Sequence, residues 1–279
     1  METRRYLRAT PSRALLLAGL TAALCVASPA VGGPSRAGQA AAATPAQAQS
    51  AVLRVQEDLA ALGYLPFGWN GQAFTYPAAP LPAPLVALFA PGRDTVLLRG
   101  AIMSYEAARG LPASTGLTAL LRRLEADRSH GLRASHPFTY VYVDEAEPER
   151  LLVWSPRGIL ESVPTNTGVA GAKTPLGTYP VYLRLPFQVM RGRNLQGVPY
   201  ADPVRYISYF LGGDAVHGFA RADYGFPQSL GCVEVPPWDA AAIYAQLQLG
   251  TLVTVGRGTL GFVRLPRIER AGAATPGTR

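Results

Sequence analysis

The chain is poor in sulfur and imidazole, with two cysteines and three histidines in 279 residues. Cys25 lies inside an apolar run; once that run is removed a single thiol, Cys232, remains, and no disulfide can form within the chain. There is no CxxC and no HxxxH, and one His with one Cys leaves a structural zinc site two ligands short. A phosphate-binding loop is also missing, because Ala172 separates Gly171 from Lys173 in the stretch that comes nearest to one, Gly168 to Thr174. The net charge of +8 is concentrated at the ends, in Arg4, Arg5, Arg8, Arg13 and Arg36 and again in Arg257, Arg264, Arg267, Arg270 and Arg279. The middle is therefore close to neutral, which excludes the basic face of a nucleic-acid binder.

What is present reads as a globular protein, 48 % hydrophobic and long enough for one large or two modest domains. Residues 1–33 have the form of a signal peptide: four arginines precede an apolar run from Ala14 to Ala27, then small residues and Pro29. The run is short for a membrane span. Cleavage near Ala30 to Gly33 and cleavage near Ala46-Gln47-Ala48 both fit, and the expected location is outside the cytoplasm, in the periplasm or cell wall. In an oxidising compartment a lone thiol points to reactivity rather than packing. Residues 34–50, rich in Ala, Gln, Pro and Gly, read as a flexible linker. Residues 257–279 read as a basic, solvated tail able to touch anionic wall polymers.

From Ala51 the period is helical. Val52, Val55, Leu59 and Leu62 share a face ending at Gly63; further helices are expected over Ala101 to Ala108 and around Leu117 to Leu124, giving a small helical domain over 51–127. Between the first two helices, prolines at 66, 77, 80, 82, 84 and 91 argue against regular helix or central strand from Pro66 to Arg99. From Thr139 the period becomes two. Tyr140–Val143, Leu151–Trp154, Ile159–Val163, Thr178–Leu183, Tyr206–Phe210 and Leu252–Val255 read as strands, with one helix near Trp238–Leu247, so 138–256 is expected to be a mainly β domain. Residues 184–205, rich in Arg, Gly and Pro, are expected to form a mobile flap over a site.

The chemistry concentrates between Asp214 and Val235. His217 is the only histidine among the strands, since His130 and His136 fall between the domains, and fifteen positions later stands Cys232. A thiol with an imidazole to take its proton is the minimal equipment of a nucleophilic acyl-transfer centre. Gly231 allows a tight turn before the sulfur that brings backbone N–H groups toward a developing oxyanion.

Four segments in order carry a resemblance: the strand and turn Leu151 to Gly158; Val163-Pro164-Thr165-Asn166-Thr167-Gly168 with Lys173-Thr174-Pro175-Leu176-Gly177-Thr178-Tyr179; Ala215-Val216-His217-Gly218; and Ser229-Leu230-Gly231-Cys232. Together they resemble the L,D-transpeptidase (YkuD-like) catalytic domain of bacterial wall biosynthesis, over somewhat under half the chain. The helices, through Val55 to Leu65 and Ala101 to Pro112, resemble a small peptidoglycan-binding domain, with Tyr105 where an aromatic followed by Gln is usual.

The resemblance implies a β-sandwich with one helix, in which Cys232 attacks a stem tetrapeptide to give a thioester and His217 is the base, held by a carbonyl near Gly218. Gly218 and Gly231 complete the catalytic set, with Ser229, Glu234 and Tyr209 as substrate-binding residues. Stem peptides are the expected partners, and neither metal nor nucleotide is expected. Two positions depart from the family: Leu230 replaces a second histidine, and Glu234 stands where Arg or Asn is usual. Three outcomes stay open: transfer to an amine, giving a 3→3 cross-link; transfer to water, an L,D-carboxypeptidase; or wall binding without catalysis.

Overall fold

A computed structural model describes residues 44–113 and 115–265. The expected signal peptide, Cys25, most of the linker and the tail beyond Leu265 lie outside the described residues. In chain order the elements are α1 (Pro45–Leu62), β1 (Gly68–Trp69), β2 (Phe74–Thr75), β3 (Leu81–Pro82), α2 (Ala83–Leu88), α3 (Val96–Ala108) and α4 (Leu117–Ser129). There follow β4 (Tyr140–Asp144), β5 (Arg150–Ser155), β6 (Gly158–Pro164), β7 (Gly177–Pro180), β8 (Leu183–Arg193), β9 (Pro199–Leu211), β10 (Asp214–Gly218) and β11 (Val233–Val235). The last are α5 (Pro237–Gln246), β12 (Leu252–Gly256) and β13 (Phe262–Val263). No helix among the described residues is long and apolar enough to cross a membrane.

Helix α1 begins earlier than its apolar period suggests. Thr44 caps it, accepting from the Gln47 N–H while the Gln47 side chain accepts from the Thr44 N–H, and Pro45 takes the first turn, where no N–H is needed. The linker expected to run to Ser50 thus becomes helix six residues sooner. The proline-rich stretch also holds more regular structure than expected. Pro84 opens α2, and Thr95 caps α3 so that it starts at Val96 rather than Ala101. The end of this stretch is pinned by Gln56, which donates to the Ala90 and Arg93 carbonyls and accepts from the Gly92 N–H.

The β region is two sheets, one ordered β6-β5-β4-β12-β7 and the other β11-β10-β9-β8. Period two sorts the side chains: Val141, Val143, Leu151, Val153, Val253 and Val255 from the first sheet meet Phe210, Val216, Val233 and Val235 from the second in the inter-sheet core. The expected mainly β sandwich is what forms, and α5 packs Ala240 and Ile243 into the same core.

The residues between them, Tyr140, Tyr142, Trp154 and Leu252, point the other way, into a core shared with Val55, Leu59, Leu97, Tyr105 and Leu124 of the helices. The helices therefore cover the back of the five-stranded sheet. Trp154, 1 % exposed, donates its indole N–H to the Pro80 carbonyl, and Ser104 of α3 donates to the Leu249 carbonyl ahead of β12. Helix and sheet come close enough at Gly100 that a Cβ there would stand 2.5 Å from the Gly250 carbonyl oxygen.

Two exposed segments are more regular than expected. Residues 184–205, expected as a flap and long for a hairpin, form a hairpin ribbon, β8 paired antiparallel to β9 from Leu183↔Tyr209 out to Arg193↔Pro199, with its turn closed by the Asn194 carboxamide. Pro186 is tolerated because β8 is the edge strand of the sheet, and Pro203 because beyond the reach of β10 the ribbon has only two strands. The start of the basic tail is ordered too: Leu260 is buried, and β13 pairs with β3, carrying the chain back across the helical region.

Candidate active site

The same alternation that fills the core builds the site. In the parallel pair β10–β11, Val216 stands opposite Val233 and His217 opposite Glu234. The valines face the core, so Ala215, His217, Cys232 and Glu234 share the outer face of the four-stranded sheet. His217 and Cys232 are diagonal neighbours on that face. Both line a cleft of ≈ 500 Å³, with Tyr209, Asp214, Leu230 and Arg221 among its other walls and Met190 and Asn194 reaching in from the ribbon.

Two irregularities aim the side chains. Between Val216 and Gly218 the register with β9 slips, and Tyr206, in the slipped part of β9, takes φ 61°, a left-handed conformation that costs a non-glycine residue about 1 kcal/mol. A second slip falls between Asp214 and Ala215. His217 is buried, and its Nδ1 lies 3.2 Å from the Gly218 carbonyl. That contact takes Nδ1–H as donor and leaves Nε2 as the basic nitrogen.

The loop carrying Cys232 is fixed from below by Thr side chains and the Asn166 backbone of the 163–179 segments. Thr174 donates to the Gly231 carbonyl and accepts from the Gly168 N–H; Thr165 donates to the Glu234 carbonyl; Asn166 and Glu234 exchange backbone hydrogen bonds. Beneath them Glu149, fully buried, accepts from the Thr167 N–H and hydroxyl. Burial raises its carboxyl above the ordinary range, against the pull of those two bonds.

Of the residues expected to touch substrate, Tyr209 lines the cleft and donates its hydroxyl to Gln188. Ser229 also borders the cleft, but its hydroxyl is used up inside the loop, donating to the Cys232 carbonyl and accepting from the Gly231 N–H at 3.1 Å. The Gly231 N–H, expected to face an oxyanion, is thereby occupied. The Cys232 N–H has no partner among the described residues, which leaves it as the backbone donor beside the sulfur.

Glu234, expected to act on substrate as a free charge, is 4 % exposed and held in a two-bond pair with Arg221, Oε1 and Oε2 each 2.8 Å from a guanidinium nitrogen. Arg221 lies over the Phe219 ring. Sequence reasoning missed Arg221, whose only signal was a cation thirteen positions before an unexplained acid. Glu234→Gln should lose the charge-assisted pair at a cost of about 1–3 kcal/mol, read as a lower denaturation midpoint. An unchanged midpoint would show that the pair does not hold the loop.

Gly231 has φ 118°, and a Cβ there would run into the Asp214 carboxylate. Gly231→Ala should therefore cost about 1–3 kcal/mol and displace the Cys232 loop. The check is loss of thiol labelling at Cys232 together with a lower melting temperature; retention of both would refute it.

At rest the pair is neutral. Burial, with the Asp214 and Glu234 charges adding to it, pushes the Cys232 thiol up to about 12, while a hydrogen bond from the Ala215 N–H pulls it down. Burial lowers His217 below its ordinary 6.5, opposed by the Gly218 carbonyl and the Glu234 charge. A protonated thiol, its Sγ 3.8 Å from the Gly213 carbonyl, therefore shares the cleft with a neutral imidazole.

Fold and cleft together define a mostly β catalytic domain with a thiol and an imidazole on one open face. Residues 139–255 match the family model of the L,D-transpeptidase catalytic domain, YkuD, and the chain carries that domain. Among solved structures it is similar to an L,D-transpeptidase from Mycobacterium smegmatis (23 % identity, 42 % of this chain and 59 % of that one, TM-score 0.38). It is also similar to the catalytic domain of the E. faecium L,D-transpeptidase (24 %, 42 % and 96 %, TM-score 0.39). A third likeness is to L,D-transpeptidase 3 from Mycobacterium tuberculosis (19 %, 43 % and 62 %, TM-score 0.39). The chain thus spans 59 % of the length of the first of these. No curated protein matches it.

Proposed function

We propose that this chain is an exported wall enzyme that takes the acyl group of a peptidoglycan stem tetrapeptide onto Cys232 and transfers it to an amine, forming a 3→3 cross-link. The observation that carries the reading is the placement of the Cys232 sulfur and the His217 imidazole on one sheet face inside one open cleft. Because the resting pair is neutral, the sulfur attacks the carbonyl of the third stem residue as its proton passes to His217. The oxyanion that forms is met by the Cys232 N–H, a kind of donor worth roughly 3 kcal/mol in other acyl-transfer enzymes. The imidazolium then protonates the departing D-Ala amine. In the second half the acceptor amine attacks the thioester and gives its proton to His217, which passes it to the sulfur as that leaves, restoring the neutral pair. The energy of the broken peptide bond is kept in the thioester, so the reaction needs no nucleotide. The helical region and the arginines after Gly256 would hold the enzyme to the wall.

The test is incubation with a purified stem tetrapeptide. Whole-protein mass should rise by the tripeptide acyl group, and the products should be cross-linked dimers. Shortened stems alone would mean that water is the acceptor, and an unmodified protein that still binds sacculi would mean wall binding without catalysis.

A further inference from the structure

One carboxylate in the cleft lies against the loop that carries the nucleophile. Strand alternation would turn Asp214 inward with Val216, but the register slip between Asp214 and Ala215 breaks the alternation, and Asp214 lines the cleft with His217 and Cys232. Its carboxylate packs directly on Gly231, the residue before the nucleophile, where a Cβ would stand 3.1 Å from Cγ. It makes no hydrogen bond and no ion pair among the described residues. Of the other charged groups lining the cleft, Glu234 and Arg221 satisfy each other, so that cation is not free for Asp214, while Asp202 and Arg191 stand on the ribbon strands.

An unpaired, half-buried carboxylate beside a thiol works against the chemistry of the site. Its charge opposes the thiolate, and burial in turn raises its own carboxyl above the ordinary range. A cation seated on Asp214 would ease both penalties at once, satisfying the carboxylate and cancelling the charge that adds to burial in keeping the sulfur protonated.

Resting on the acyl-transfer reading above, we propose that Asp214 is the docking group for a primary ammonium carried by the peptide substrate, so that a stem bearing a free amine is what brings Cys232 into action. The ammonium has two possible sources, the side chain of a diamino acid in the donor stem or the amine of the acceptor. The same contact serves either, and an acceptor's ammonium first passes one proton to the Asp214 carboxylate, leaving the neutral amine that attacks the thioester.

The experiment compares wild type with Asp214→Asn and Asp214→Glu on two tetrapeptide donors, one with its side-chain amine free and one with that amine acetylated. Acylation is followed by mass, and the partition of the acyl-enzyme between hydrolysis and transfer to a primary amine is followed by product analysis. If the ammonium is the donor's, Asp214→Asn should lower the preference for the free-amine donor about tenfold or more, as expected for loss of a charge-assisted contact. If it is the acceptor's, that preference holds and the ratio of amine transfer to hydrolysis falls about tenfold. Asp214→Glu should restore whichever ratio changed. Both ratios unchanged in Asp214→Asn would overturn the proposal. Since both are ratios within one preparation, partial loss of folded protein does not alter them, and Asp214→Ser replaces a variant that yields none. A wild-type protein that takes no acyl group from either donor would sink the proposed function itself rather than the role of Asp214.

Discussion

Cys232→Ala is expected to abolish covalent capture: incubated with a carbapenem or a stem tetrapeptide, wild type should gain the mass of one acyl group and the variant none. The effect is all-or-none because Cys232 is the single thiol among the described residues and the cleft has no other soft nucleophile beside His217. The same assay has a definite pH dependence. His217 must be neutral to take the thiol proton, and burial holds its pKa below 6.5. Acylation should therefore persist as pH falls through 6.5 and fade only in more acid solution. Above neutrality it should stay level, since His217 is already neutral and the thiol, pushed up to about 12, does not ionise by itself in the usual range. A rate that already halves at or above 6.5 would mean that the imidazole is solvated, and capture by the alanine variant would place the nucleophile elsewhere.

The second large effect lies far from the cleft. Trp154→Ala removes a side chain that fills the core between the five-stranded sheet and the helices, together with its bond to the Pro80 carbonyl. Truncating a buried tryptophan costs about 3–5 kcal/mol, a large part of the 5–15 kcal/mol that holds a typical domain together. Melting should drop by about 10 °C. It should remain a single transition, because the helices and the sheet share one core rather than two. A helical part that melts separately, leaving the sandwich and its acylation intact, would refute that unity.

The shared core also shows where the sequence was legible. In Tyr140-Val141-Tyr142-Val143 the strand was plain, and so was the apolar character of both faces, which is the mark of a sheet covered on both sides. Read for its period alone, the segment gives a sandwich strand; read for both faces, it asks for a second covering layer, which the helices supply. The ribbon of β8 and β9 was obscured because Pro186, Gly192 and Pro203 are strand breakers in a central position and tolerable only at an edge, and edge position is a property of the assembled sheet. Helix α2 was hidden for a related reason: proline forbids a helix interior but suits its first turn, as Pro84 shows.

At the site, His217 and Cys232 were visible because their residue types are rare here and their spacing belongs to a known motif. Glu234 was read as a free charge because its neutralising partner sits thirteen positions away in a loop whose path no local pattern sets. Asp214 lay within the stretch singled out, yet only the slip in register turns it toward the sulfur, and such slips leave no trace in composition.

The strand β13, pairing with β3 after the chain has left the sandwich, bears on how the protein can be produced in pieces. The family match stops at residue 255, but a fragment trimmed to 139–255 would lose Leu260, β13 and every helix on the far side, laying Tyr140, Tyr142, Trp154 and Leu252 open to water. Such a bare aromatic wall invites self-association. Expression boundaries are therefore better set by the strap, with Thr44 at one end and Leu265 at the other.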